Sequence, residues 1–88
     1  MSRYSVEFTT AAAREVRKLD PQIRRRLLDA IENLGDDPRP HGARKLVGYD
    51  DAWRIRVGDY RVLYEVRDEA VLVTVFTVGH RRAVYEVR

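Results

Sequence analysis

The chain has 88 residues, 44% of them hydrophobic and 35% charged, the mix of one small globular domain (1–88) with a heavily charged surface. It has no cysteine, which excludes a disulfide scaffold, a thiol nucleophile and a thiolate zinc site, and two histidines, His41 and His80, are too few for a histidine-built metal centre. Net charge is only +3, yet fifteen of the seventeen cations are arginine, whose fixed planar charge suits phosphate; the placement of those arginines therefore decides what partner they serve.

Tyr4, Val6 and Phe8 alternate with Arg3, Ser5 and Glu7, which predicts a short half-buried strand. Thr9 and Thr10 are capping residues, and Ala12, Val16 and Leu19 at helical spacing predict a first helix near 11–19. Asp20-Pro21 is an N-cap followed by proline at the first helical position. It opens a second helix with a core stripe of Ile23, Leu27, Ala30, Ile31 and Leu34, ended by Gly35 and Pro38. Residues 36–51, rich in Pro, Gly and Asp, read as a loop whose middle is pinned to the core by Leu46 and Val47.

From Ala52 onward the pattern is strands. Trp53, Ile55 and Val57 alternate with Arg54 and Arg56, and Gly58-Asp59 is a two-residue turn of type II′ composition. Tyr60 to Val66 returns, Asp68-Glu69 turns again, and the VLVTVFTV run from Val71 to Val78, apolar on both faces, is central in the sheet until Gly79 breaks it. The expected fold is α+β, ordered β-α-α-β-β-β, with a helical hairpin on one face of a small, largely antiparallel sheet. The apolar runs are far too short to span a membrane and the start has no signal-peptide core, so a reduced cytoplasmic setting is expected.

The Gly58-Asp59 turn fixes a register: Val57 faces Tyr60, Arg56 faces Arg61, Ile55 faces Val62, Arg54 faces Leu63 and Trp53 faces Tyr64. Trp53, Ile55, Val57, Tyr60, Val62 and Tyr64 then form one apolar face for the helices, and Arg54, Arg56 and Arg61 share the other as an open anion site. Arg56 and Arg61 are opposed like charges, which destabilise a hairpin unless an anion sits between them. A two-residue Asp68-Glu69 turn would set Arg61 opposite Phe76, with Leu72, Thr74 and Phe76 as floor. Arg81 and Arg82 follow Gly79 directly, so at least one of them is expected to reach the same cleft, and His80 and Tyr85 can hold or move a proton.

The stretch from Trp53 to Val66 followed by Val78-Gly79-His80-Arg81-Arg82-Ala83-Val84-Tyr85 resembles the RelE/ParE toxin superfamily of type II toxin–antitoxin modules, and the likeness runs over nearly the whole chain. The resemblance implies a ribosome-dependent mRNA endoribonuclease that works in the A site without cofactor or metal, is held inactive by a small antitoxin, and touches no membrane. It implies that Arg54 and Arg56 hold the mRNA backbone and that Arg61 and Arg81 surround the scissile phosphate. Tyr85 matches the family's C-terminal tyrosine. His80 is the better base of the two proton carriers, while arginine at 54 and 56 replaces lysine and is a poor base. Lys45, Arg44 and Arg82 are candidate backbone contacts. The alternative of another class is a ParE-type, non-catalytic inhibitor of DNA gyrase; a plain RNA-binding module is the third reading.

The remaining features have bland readings. Arg24-Arg25-Arg26, with Asp29 and Glu32 close by, is expected to be a solvated helix face, with contact to the ribosome or an acidic antitoxin segment as the alternative. Asp36-Asp37 and Asp50-Asp51 serve turns. Trp53, Tyr60 and Tyr64 belong to the core by parity, and His41 carries little signal.

Overall fold

Residues 3–80 are described by a computed structural model. Its elements are β1 (Ser5–Phe8), α1 (Thr10–Arg17), α2 (Pro21–Asn33), β2 (Arg44–Lys45), β3 (Ala52–Val57), β4 (Tyr60–Arg67) and β5 (Leu72–His80). The strands make one sheet in the order β1-β5-β4-β3-β2, with β1 parallel to β5 and every other pair antiparallel. The β-α-α-β-β-β order is therefore present, with β2 as an addition inside the segment expected to be all loop. Two residues are too few to show alternation; β2 exists because Arg44 and Lys45 pair with Arg54 and Trp53, and the Leu46 amide donates to the Ala52 carbonyl at 2.9 Å.

Local chemistry sets the helix ends. Thr9 caps α1, its hydroxyl accepting from the Ala12 amide at 3.1 Å. Asp20 stands at the N-cap of α2 ahead of Pro21 but makes no side-chain capping bond, so proline's preset φ is the start signal that acts. After α2 the chain passes close to its own beginning: the Tyr4 amide donates to the Gly35 carbonyl at 2.8 Å. A Cβ at Gly35 would meet the Tyr4 carbonyl oxygen at 2.9 Å, so only glycine fits. Ala12, Val16, Leu27, Ile31 and Leu34 from the helices meet Ile55, Val62, Tyr64, Val66, Val73, Val75 and Val78 from the strands, and these residues are the core.

The first hairpin follows the expected register pair for pair, from Val57 opposite Tyr60 to Trp53 opposite Tyr64. Gly58 has φ +61° and Asp59 does not share its positive φ, the signature of a II′ turn rather than I′. The second turn departs from expectation. Asp68–Ala70 forms a 3₁₀ turn closed by Val71 in the left-handed region at φ 50°, so four residues, not two, separate Arg67 from its partner Leu72. A register shift at Leu63/Tyr64 then leaves Phe76 as an extra residue in β5, and Arg61 lies opposite Gly79 instead of Phe76. Gly79 does not break β5, which continues to His80 inside the sheet's pairing. Val47 is 97% exposed and pins nothing, because the two-residue pairing of β2 already anchors the loop; Leu46 is half-buried. Among the described residues no helix is long and apolar enough to cross a membrane.

Candidate nucleic-acid interface

The register divides the sheet's two faces. Trp53, Ile55, Val57, Tyr60, Val62 and Tyr64 stand on the side that receives the helices, with Val62 and Tyr64 fully buried. Arg54, Arg56 and Arg61 stand on the other. Directly opposed residues share a face, so Arg44, paired with Arg54, joins this set from β2, whereas its neighbour Lys45, paired with Trp53, is exposed on the helix side. Three successive strands thus contribute four arginines to one face. Sequence alone groups Lys45 with the arginines, because the parity of a two-residue strand is set only by its partner.

The arginines are not equally open. Arg56 is exposed, Arg54 is half-buried and Arg61 is only 4% exposed. The expected open surface of three guanidiniums is therefore a graded one, with Arg61 at its base. The physical reason is position: β4 is the middle strand, and Arg61 is flanked by Arg56 on β3 and by Gly79 on β5. A charge held there is fixed in place, and effective dielectric falls with burial, so its field on a neighbouring charge is stronger than that of Arg56 at the rim.

His80 is not brought to this face. It pairs with Tyr60, and the two rings meet edge to face with centroids 5.6 Å apart at 78°, on the helix side of the sheet. One extra residue in β5 sets that parity. Arg81, Arg82 and Tyr85 lie outside the described residues. Leu72 and Thr74 do share the arginine face, but opposite Arg67 and Glu65 at its far end. There Asp50, Asp51, Glu65 and Glu69, with Arg67 paired to the two glutamates, line an open cavity of about 510 Å³ beside Tyr49 and Phe76. The face is consequently basic near the Gly58 turn and acidic at the opposite end. His41 lines a second cavity of about 460 Å³ beside Ala30, Asn33 and Arg56; the loop's fold over β3, invisible in sequence, puts it there.

A separate polar network fixes the loop before β2. Asp68 accepts from Arg39 through Nη1 at 3.2 Å and Nη2 at 2.9 Å, and also from the Tyr4 hydroxyl. The Arg39 guanidinium in turn lies 5.5 Å from the Trp53 ring centre. These bonds from Arg39 and Tyr4 hold the Asp68 carboxyl below its ordinary pKa, and the bond to Asp68 raises the Tyr4 phenol. Buried Tyr64 donates to the Pro38 carbonyl at 2.7 Å, and burial pushes its phenol up to about 12. Asp37 accepts from the Arg39 amide at 3.3 Å, the turn role expected of it, whereas Asp36 pairs with Arg3 at 3.1 Å, a contact the sequence did not announce. Among the described residues no group of three or more His, Asp or Glu side chains could hold a metal ion.

Comparison with known proteins adds four findings. The family model described as the ParE toxin of type II toxin–antitoxin systems, parDE, matches residues 6–85. Toxin RelG of Mycobacterium tuberculosis is 37% identical over 86 residues, covering 93% of this chain and 95% of the relative. The mRNA interferase toxin RelE of Escherichia coli is 36% identical over 80 residues, covering 89% of this chain and 83% of the relative. Among solved structures, a chain of the RelBE2 toxin–antitoxin complex from Mycobacterium tuberculosis superposes with a TM-score of 0.81 at 32% identity, over 92% of this chain and 94% of that one.

Proposed function

The chain belongs to the ParE toxin family of type II toxin–antitoxin systems and is RelE-like, and on that footing we propose that it is a ribosome-dependent endoribonuclease that cuts mRNA in the A site and so inhibits translation. The observation that supports this most is the convergence of Arg44, Arg54, Arg56 and Arg61 on one sheet face with Arg61 at its buried base. Such a face is costly as mere surface, since like charges directly opposed destabilise a strand pair, and it becomes favourable with a polyanion upon it. A relative named as an mRNA interferase supplies the reaction class.

RNA carries its own nucleophile. The 2′ hydroxyl gives up its proton to solvent and its oxygen bonds to phosphorus as the bond to the 5′ oxygen breaks, giving a 2′,3′-cyclic phosphate and, once the departing oxygen takes a proton, a 5′-hydroxyl end; no metal is needed for the step. Arg61 stabilises the charge that builds on the phosphoryl oxygens, and Arg54, Arg56 and Arg44 hold the flanking backbone. Arg81, Arg82 and Tyr85 lie outside the described residues: Arg81 stands beside the phosphate by the resemblance, Arg82 is taken as a backbone contact, and Tyr85 is the group that hands a proton to the departing oxygen. His80 is left out of this step because its ring stands on the helix side. The partners are mRNA, the ribosome and a small antitoxin protein, in the cytoplasm; the first of these is what the arginine face recognises.

The test is to add the protein to ribosomes programmed with a defined mRNA and map new 5′ ends, with EDTA present and absent. We expect cuts within the A-site codon that persist in EDTA. Arg61→Gln should cut about 10²–10³-fold more slowly, by analogy with losing one oxyanion donor. Absence of cuts by the unmodified protein overturns the reading. The second reading, gyrase inhibition without cleavage, is favoured by the matched model's description as a ParE toxin, and a DNA supercoiling assay on the same preparation would detect it.

A further inference from the structure

Among the described residues outside the sheet's arginine face, some cations are paired with carboxylates and others are not. Arg3, Arg39 and Arg67 are each in ion pairs with carboxylates. Among the described residues, Arg14, Arg17 and Lys18 of the first helix and its end, and Arg24, Arg25 and Arg26 of the second, form none. The carboxylates that stand near the Arg24-Arg25-Arg26 run in the chain do not neutralise it. Glu32 turns to Arg3 at 3.8 Å, and Asp29 makes no ion pair among the described residues.

Arg24 reaches the Arg17 carbonyl and so joins the end of α1 to the start of α2, whereas Arg26 lies beside the Gly58 turn; all six cations but the half-buried Arg24 are exposed. Arg14 and Arg17 in the last turn of α1 have a local reason, because cations stabilise a helix C-terminus. Those of α2 have no such reason, since they stand in its N-terminal half and not at its C-terminal end. One contact of the run is internal, Arg24 Nη1 donating to the Arg17 carbonyl at 3.4 Å, which spends no charge on a carboxylate. A charge cluster left unneutralised by carboxylates is complementary to an anion supplied from outside.

The chemistry narrows the partner further. Single-stranded RNA is gripped by charge together with aromatic platforms on which bases stack. Neither α1 nor α2 contains an aromatic residue. Charge without stacking reads phosphates alone, which is how proteins hold base-paired RNA. The patch lies on the helical layer, the other side of the sheet from Arg54, Arg56 and Arg61.

We propose that the α1–α2 corner, through Arg17, Arg24 and Arg25 with Arg14 and Lys18, is a second RNA-binding surface that holds the phosphate backbone of base-paired RNA while the sheet arginines hold the strand to be cut. The proposal extends the ribonuclease reading but does not depend on cleavage. The full chain and its Arg17→Gln/Arg25→Gln double variant are titrated with an RNA duplex of about 20 base pairs and with a single strand of the same length, across a range of salt.

For the duplex, the slope of log affinity against log salt should fall by about 1.8 in the variant, about 0.9 for each phosphate that no longer meets a cation. For the single strand it should stay unchanged, which also shows that the variant is folded. An Arg3→Gln/Arg67→Gln variant, which removes two paired cations, should leave both slopes as they were. An unchanged duplex slope overturns the proposal, as does an equal fall for both probes. A variant that keeps duplex binding but loses binding to a poly-glutamate peptide would overturn it in favour of an acidic protein partner. If the unmodified protein binds the duplex as described yet cuts no mRNA, the ribonuclease reading fails and this one stands.

Discussion

Replacing Arg56 should make the protein more stable and less able to hold RNA. Arg56 lies directly opposite Arg61, and the two guanidiniums project from the same face. Like charges so placed cost about 0.2–1 kcal/mol, and because Arg56 is exposed the lower half of that range, about 0.2–0.5 kcal/mol, applies. For a domain of this length 1 kcal/mol moves the melting temperature by about 4–8 °C, so Arg56→Gln should melt about 1–4 °C higher at low ionic strength. At 1 M salt the screening length shrinks to about 3 Å and most of the gain should disappear. The same variant should neutralise one phosphate fewer, lowering the salt slope for single-stranded RNA by about 0.7. Thermal unfolding followed by circular dichroism at both ionic strengths, beside anisotropy titrations with a labelled RNA, measures the two effects together. A variant that melts lower at low salt, or whose salt slope equals that of the parent, would refute the idea that the two guanidiniums repel each other and that Arg56 meets a phosphate.

Tyr64→Phe should destabilise the fold by about 1–3 kcal/mol, because it leaves the Pro38 carbonyl without its buried donor. The Tyr64 phenol is raised from 10.0 to about 12, so its contribution is complete below about pH 10 and lost as pH climbs through 12. Urea midpoints of parent and variant should therefore converge between those values, and a constant gap would contradict the assignment. Asp68→Asn breaks the ion pair with Arg39 and unmoors the loop that carries it. Since the folded carboxyl titrates below its ordinary value, the parent's advantage should be present above the unfolded pKa of about 3.9 and fade as pH falls further, read again from urea midpoints; an advantage that persists at pH 2 would refute it.

Elements whose signals are local were legible in the chain alone. The alternation from Trp53 to Tyr64 and the Gly58-Asp59 turn set the hairpin register pair by pair, because a two-residue turn leaves no freedom in which residues face each other. That was enough to put Arg54, Arg56 and Arg61 on one face. Thr9, Asp20-Pro21 and the apolar stripe of the second helix likewise announced both helices. Whatever depends on a partner or on accumulated register came from the packed fold. The parity of Arg44 and Lys45 comes from β3, not from the two residues themselves. Two small irregularities, a four-residue turn ending at Val71 and one extra residue near Phe76, moved Arg61 opposite Gly79 and carried His80 to the helix side. Side chains alternate with period two, so a single inserted residue reverses the face of everything after it, and nothing in the local pattern marks where that insertion falls. Charge pairing was hidden for the same reason: Glu32 stands beside the arginine run in the chain, yet it reaches Arg3, which only the packing of β1 against α2 brings near.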